Sequence, residues 1–177
     1  SMYGVKNVMS VSLLRMQSGE LGLFYGVKVT PGSGKHMLSL SRDEGQTFYR
    51  HIQCSLPDRI GYYVLNNDRV ERLQSGRILM PLIVHRCSGY DSRTAAMAAH
   101  NDGRNAVCHH PGAFGGTSAA GYWDSRGVAV FLYSDDDGET WQEADDTVAA
   151  AFTGTHTALQ ETGVIEKKNG ALWAYCR

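Results

Sequence analysis

The chain has 177 residues, enough for one ordinary domain with a real hydrophobic core. It is 42% hydrophobic and 20% charged, with 17 basic and 18 acidic residues and a net charge of −1. This composition excludes a disordered chain, and it gives no basic footprint for nucleic acid and no surface drawn to a membrane. No apolar run approaches the roughly 18 residues that a membrane span needs. No signal peptide is recognisable in this chain.

In chain order, the apolar segments are VSLLRM, LGLFYGV, HMLSLS, YYVL, RILMPLIV, VAVFLYS, GVIE and ALWAYC. Each is short, rich in β-branched or aromatic side chains and bounded by turn residues, so each predicts a strand. The best helical stretch, Thr94 to Ala99, is short and weakly periodic. The fold class predicted is all-β.

Three segments align without gaps: Val8–Tyr25, Leu65–Leu82 and Leu159–Cys176. Each predicts a hairpin that turns at an S-G or N-G pair, with Gly19, Gly76 and Gly170 supplying the positive φ such turns require. A third strand then leads into an acidic turn. SRDEGQTF fills Ser41–Phe48 and SDDDGETW fills Ser134–Trp141, two copies of S-x-D-x-G-x-T-(W/F). Asp43 and Asp136 are placed to accept hydrogen bonds from their own turns. Phe48 and Trp141 are expected to pack inward, with most of the acidic charge solvated. The spacing is not that of an EF-hand loop, so calcium is not expected.

The repeat unit is four antiparallel strands, recurring at 57 residues between Gly19 and Gly76. Repeats of this kind predict β-propeller blades. The blades would span 3–58, 59–150 with an insertion at 87–127, and an incomplete 151–177. Two and a half to three blades do not close a ring alone, and a homodimer of two copies would complete six.

In such blades the start of strand one and the end of strand two share the edge opposite the glycine turn. This groups Ser10 with Gly26–Lys28, Asn66–Asp68 with His85–Arg86, and Glu161 with Arg177. Spacing alone reads the last pair as a cross-strand salt bridge.

The two acidic turns resemble the Asp-box of the sialidase (neuraminidase, BNR-repeat) superfamily, a six-bladed β-propeller family. The segment LQETGVIEKKNGALWAYCR is similar to the part of that family in which a Glu enters one strand and an Arg closes the next. The resemblance implies a glycoside hydrolase that removes terminal sialic acid or a related acidic sugar from glycans. It implies that Glu161 polarises a tyrosine nucleophile and that Arg177 is one of three arginines clamping the substrate carboxylate, a group that a bidentate guanidinium suits. The family's first arginine has no counterpart in NVMSVS, and its general-acid Asp has none in VTPGSGK. Nucleophile and third arginine would lie past Arg177. Asp68 is the substitute nominated as acid, and the alternative for it is an ordinary turn Asp. Asn67, Arg69, His85 and Arg86 are expected to line the substrate site. The resemblance is compatible with a secreted or periplasmic protein.

The missing arginine and acid leave open a second function class, a non-catalytic carbohydrate-binding or scaffolding propeller. His85, Cys87, His100, Cys108, His109 and His110 raise a zinc site, but no ligand spacing is met and no metal or other cofactor is expected. The four cysteines, Cys54, Cys87, Cys108 and Cys176, are expected as mostly buried thiols. Tyr62, Tyr63, Tyr90, Tyr122 and Trp123 offer aromatic faces for sugars, or simply pack.

Overall fold

The computed structural model describes residues 7–30, 33–56, 62–88, 107–108, 122–150 and 158–177. Among them every regular element is a strand, and all but one strand pairing is antiparallel. The protein is all-β. The proposed helix at Thr94–Ala99 lies outside the described residues.

The first sheet has the order β1 (Asn7–Arg15), β2 (Leu21–Thr30), β3 (Ser33–Ser41) and β4 (Arg50–Gln53). The second is built on β7 (Ile78–Ser88) and β9 (Tyr122–Ser134), which pair over almost their whole length. β5 (Tyr62–Val64) and β6 (Glu71–Arg72) both lie along β7. Three two-residue strands pair with β9: β8 (Val107–Cys108), β10 (Gln142–Glu143) and β11 (Val148–Ala149). β12 (Gly163–Glu166) and β13 (Leu172–Tyr175) form a separate hairpin.

The three glycine hairpins fold alike. Met16, Leu73 and Lys167 each donate an N–H to the carbonyl four residues on, at 2.8–2.9 Å, and accept from the turn glycine at 2.9–3.0 Å. Gly19, Gly76 and Gly170 have φ of 87°, 90° and 81°, the left-handed region that glycine enters without a Cβ clash.

Two stretches differ from the sequence reading. The strand expected to enter the second hairpin is broken between β5 and β6, because Asn67, Asp68 and Arg69 turn aside to bond the first sheet. β9 also starts at Tyr122 and so takes in part of the segment assigned to an insertion; its polar YWDSRG start lacks the alternation that marks a strand.

The core lies between the first and second sheets. Met16, Phe24, Leu38 and Leu40 meet Leu65, Val70, Ile78, Met80, Leu82, Val130, Leu132 and Trp141. Burying each large side chain stabilises the fold by about 1.5–3 kcal/mol. Trp141 lies edge-on to Phe24, with ring centroids 6.0 Å apart, and its Nε1 donates to the Gly138 carbonyl at 3.0 Å. Phe48, its counterpart in the first acidic turn, is only half-buried.

Candidate functional site

Antiparallel pairing gives the first two sheets two distinct edges. Leu21, Ser41, Ile78 and Ser134 stand at one, beside the glycine turns and acidic turns. Lys28, Gly34 and His85 stand toward the other. Of the residues singled out in the sequence, His85 stands at this second edge, the mouth, and the third hairpin approaches the second sheet through Gln160 at Gly127 and Tyr175 at Arg69.

The mouth is assembled from β1 outward. Between Met9 and Ser12 β1 bulges, so Ser10 and Val11 oppose one residue of β2. The bulge frees the Val11 backbone to face the next sheet. Val11 N–H donates to Asn67 Oδ1 at 3.1 Å, and Asp68 N–H donates to the Val11 carbonyl at 2.9 Å. Ser12 Oγ is buried and accepts from the N–H groups of Arg69 and Val70. Ser10, Asp68 and Glu161 have φ of 63°, 54° and 54°, and Glu44 and Asp137 in the acidic turns have 57°. Non-glycine residues held there cost of order 1–3 kcal/mol each, and such positions concentrate at functional sites.

Glu161 and Arg177 meet. Arg177 Nη2 is 3.0 Å from Glu161 Oε1, and the Arg177 and Gln160 backbones exchange hydrogen bonds of 2.8 and 3.0 Å. The arginine side chain is 74% exposed against 38% for the glutamate, so its free face is open to a ligand. Asn67 spends its amide oxygen on Val11, which gives it a structural task. Asp68 is exposed. Arg69 is half-buried, with its guanidinium 5.7 Å from the centre of the Tyr175 ring, which links the second sheet to the third hairpin. His85 is half-buried opposite Gly127, where the Gln160 side chain and Leu159 carbonyl also approach. Arg86 continues β7 at a register shift, and its side chain lies outside the described residues.

Two contributors were not picked out from sequence. Glu71, opposite Leu79 toward the turn edge, has its carboxyl raised by burial and then by the Asp68 charge. Tyr175 receives Arg69 and covers Gly163, whose Cβ would strike its ring. Both lie in the aligned hairpin segments, but their partners Asp68 and Arg69 come together only in the fold.

His100, His109 and His110 lie outside the described residues, as do Tyr90 and the side chains of Tyr62, Cys87, Cys108, Tyr122 and Trp123. Among the described residues, no group of three or more His, Cys, Asp or Glu could hold a metal. Cys54 is a buried free thiol, pushed up in pKa by burial, and Cys176 is a partly buried one that meets Thr162 Oγ1 at 3.4 Å.

At the opposite edge the acidic turns fold as local hydrogen-bonded units. Asp43 accepts from Thr47 N–H at 2.8 Å and Thr47 Oγ1 at 2.6 Å, and Asp136 accepts the same pair from Thr140 at 2.8 and 2.5 Å. These donors hold the Asp43 carboxyl down at about 2. As expected, most of the second turn's acids are exposed (Asp135, Asp136 and Glu139), while Asp137 is half-buried. Arg77 grips Asp135 with two bonds, and Asp137 accepts from Gln17 N, Ser18 N and Arg72.

No protein-family model matches the chain, and no curated protein matches it. It is similar to a crystal structure of a protein of unknown function from Dyadobacter fermentans DSM 18053, at 15% identity and a TM-score of 0.54 over 94% of this chain. The chain spans 45% of that structure's length. At such identity the likeness is one of fold alone.

Proposed function

We propose that the sheets are blades of a sialidase-like β-propeller and that the mouth is the site of a glycoside hydrolase acting on terminal sialic acid or a related acidic sugar. The observation that carries this reading is the Glu161–Arg177 contact of 3.0 Å beside Asn67–Arg69. The blade reading is supported by the recurring hairpin and by the two acidic turns at one edge. It is supported too by apolar side chains left exposed at both ends: Val8, Val11 and Leu13 on β1, and Ile165, Leu172, Trp173 and Tyr175 on the last hairpin. Radial packing against further blades would cover them.

In this reading Arg177 binds the substrate carboxylate through its exposed face while Glu161 holds the guanidinium and polarises a tyrosine nucleophile. Asp68 protonates the leaving group. This role is supported by the exposure of the Asp68 carboxyl and by its charge reaching Glu71. No residue of this chain is assigned as nucleophile or as the first or third arginine, and the assay uses the whole protein. Release from an aryl sialoside at mildly acidic pH is the expected result, with Asp68→Asn lowering turnover by about 100-fold or more. Absence of release across that pH range overturns the hydrolase reading.

A second reading, a non-catalytic glycan-binding propeller, is favoured by one observation. The entry to β1 offers Ser10 and no arginine, and its exposed backbone is spent on Asn67 and Asp68. Glycan binding without hydrolysis would select it.

A further inference from the structure

The second acidic turn joins the two main sheets through one carboxylate. Arg72 donates to the Gly76 carbonyl at 3.0 Å and to Asp137 at 2.6 Å. Asp137 also accepts from the N–H groups of Gln17 and Ser18, at the tip of the first hairpin, at 3.1 and 3.3 Å. The same arginine–carboxylate pair stands one repeat earlier. Arg15 donates to the Gly19 carbonyl at 3.0 Å and to the two Glu44 oxygens at 2.8 and 2.6 Å. Glu44 and Asp137 share a φ of 57°. Under the hairpin tip, Arg72 and Asp137 are 18% and 22% exposed. Arg15 and Glu44, which no tip covers among the described residues, are 52% and 71% exposed.

The tips repeat as well. Gln74, the counterpart of Gln17, donates its N–H to Glu166 of the third hairpin at 2.6 Å. Lys168 and Asn169 hold the positions of Gln17 and Ser18 in the third hairpin, and both are exposed. Their N–H groups have no acceptor among the described residues. The chain therefore carries a bare carboxylate at its first sheet and a bare tip at its third hairpin. The same elements expose apolar side chains, Val11 and Leu13 on β1 and Ile165 and Trp173 on β12 and β13.

We infer that a second copy of this chain joins the two, with the Lys168–Asn169 tip of one copy seated on Glu44 of the other. A carboxylate offers about four acceptor positions, and Arg15 fills two on Glu44, so two N–H groups can still be received. The occupant is another copy because the contact continues one that the chain already makes between its own repeats. Lysine in place of glutamine adds a cation for Glu44. Each copy has one tip and one carboxylate, so two copies about a twofold axis satisfy both. The inference rests on the blade reading of the apolar end faces and is independent of hydrolysis.

Sedimentation equilibrium of the 177-residue chain tests it, and a species at twice 19.4 kDa is expected. Lys168→Glu and Glu44→Lys, both at exposed positions, should each keep the circular dichroism of the parent and weaken association about tenfold or more. Mixed in equal amounts, the two variants should regain the parent's association, because each contact then pairs opposite charges. A chain that stays at 19.4 kDa overturns the proposal. A dimer indifferent to both substitutions, or variants that stay apart on mixing, overturns it while leaving the blade reading in place. Release from a sialoside, present or absent, alters none of these outcomes.

Discussion

The two edges of the sheets are held by different means. At the turn edge the described ion pairs run in close succession: Arg15–Glu44, Arg42–Glu20, Arg50–Glu139, Arg72–Asp137 and Arg77–Asp135. At the mouth one described ion pair, Glu161–Arg177, accompanies side-chain bonds of 3.0–3.1 Å from Ser12 and Asn67 to the other sheet's backbone. The turn edge is laced by ion pairs, although Arg42 and Glu44 there are each 71% exposed. The mouth has one described ion pair, with Arg177 74% exposed, and an exposed aspartate, Asp68.

The largest way to break this contrast is through the turn edge's one large buried aromatic. Trp141→Ala should destabilise the fold by about 3–5 kcal/mol in urea unfolding, since it empties the space against Phe24. A loss under about 1 kcal/mol would mean that the second acidic turn does not anchor the core. Next comes Asp137. Its side chain is 22% exposed, it accepts from two hairpin N–H groups, and it pairs with an Arg72 only 18% exposed. Asp137→Ala should cost about 2–3 kcal/mol by thermal melting, because Arg72 is left partly buried without its partner.

Acid separates the edges by titration. His36, beside the mouth, is held neutral by burial with its pKa lowered to about 4. The unfolded chain takes up this proton from pH ~6.5 downward while the fold resists until about 4, so stability falls over that window. The carboxyls of the acidic turns act lower. Asp43, at about 2 in the fold against an ordinary 3.8, contributes stability present above pH ~4 and lost as pH falls toward 2. Asp136 is shifted the same way by Thr140. Melting temperature against pH should therefore decline in two stages, and His36→Gln should remove the upper one alone.

The smallest expected stability effect is at the mouth. Arg177→Gln should change stability by less than about 1 kcal/mol, because the pair is exposed, while abolishing binding of an acidic sugar. A large destabilisation with binding intact would make Glu161–Arg177 a structural bridge.

What could be read from the sequence was local. The hairpins turn on neighbouring residues, and each acidic turn closes between Ser, Asp and Thr within six residues, so Gly19, Gly76, Gly170, Asp43 and Asp136 were legible. The meeting of Glu161 and Arg177 followed from hairpin register alone. The rest rests on partners far apart in the chain. Asn67 bonds Val11 and Arg69 bonds Ser12 across 56 and 57 residues, and that pull breaks the strand expected at Leu65–Val70. Asp137 finds Gln17 across 120, which turned an apparently solvated acid into a junction.

The division between a self-bonded turn edge and a ligand-facing mouth is tested most directly by backbone amide NMR of the full chain titrated with N-acetylneuraminate. Shifts confined to Asn67–Arg69, Glu161 and Arg177, with Ser134–Trp141 unmoved, are predicted. Shifts centred on the acidic turns, or none at the mouth, would contradict the account.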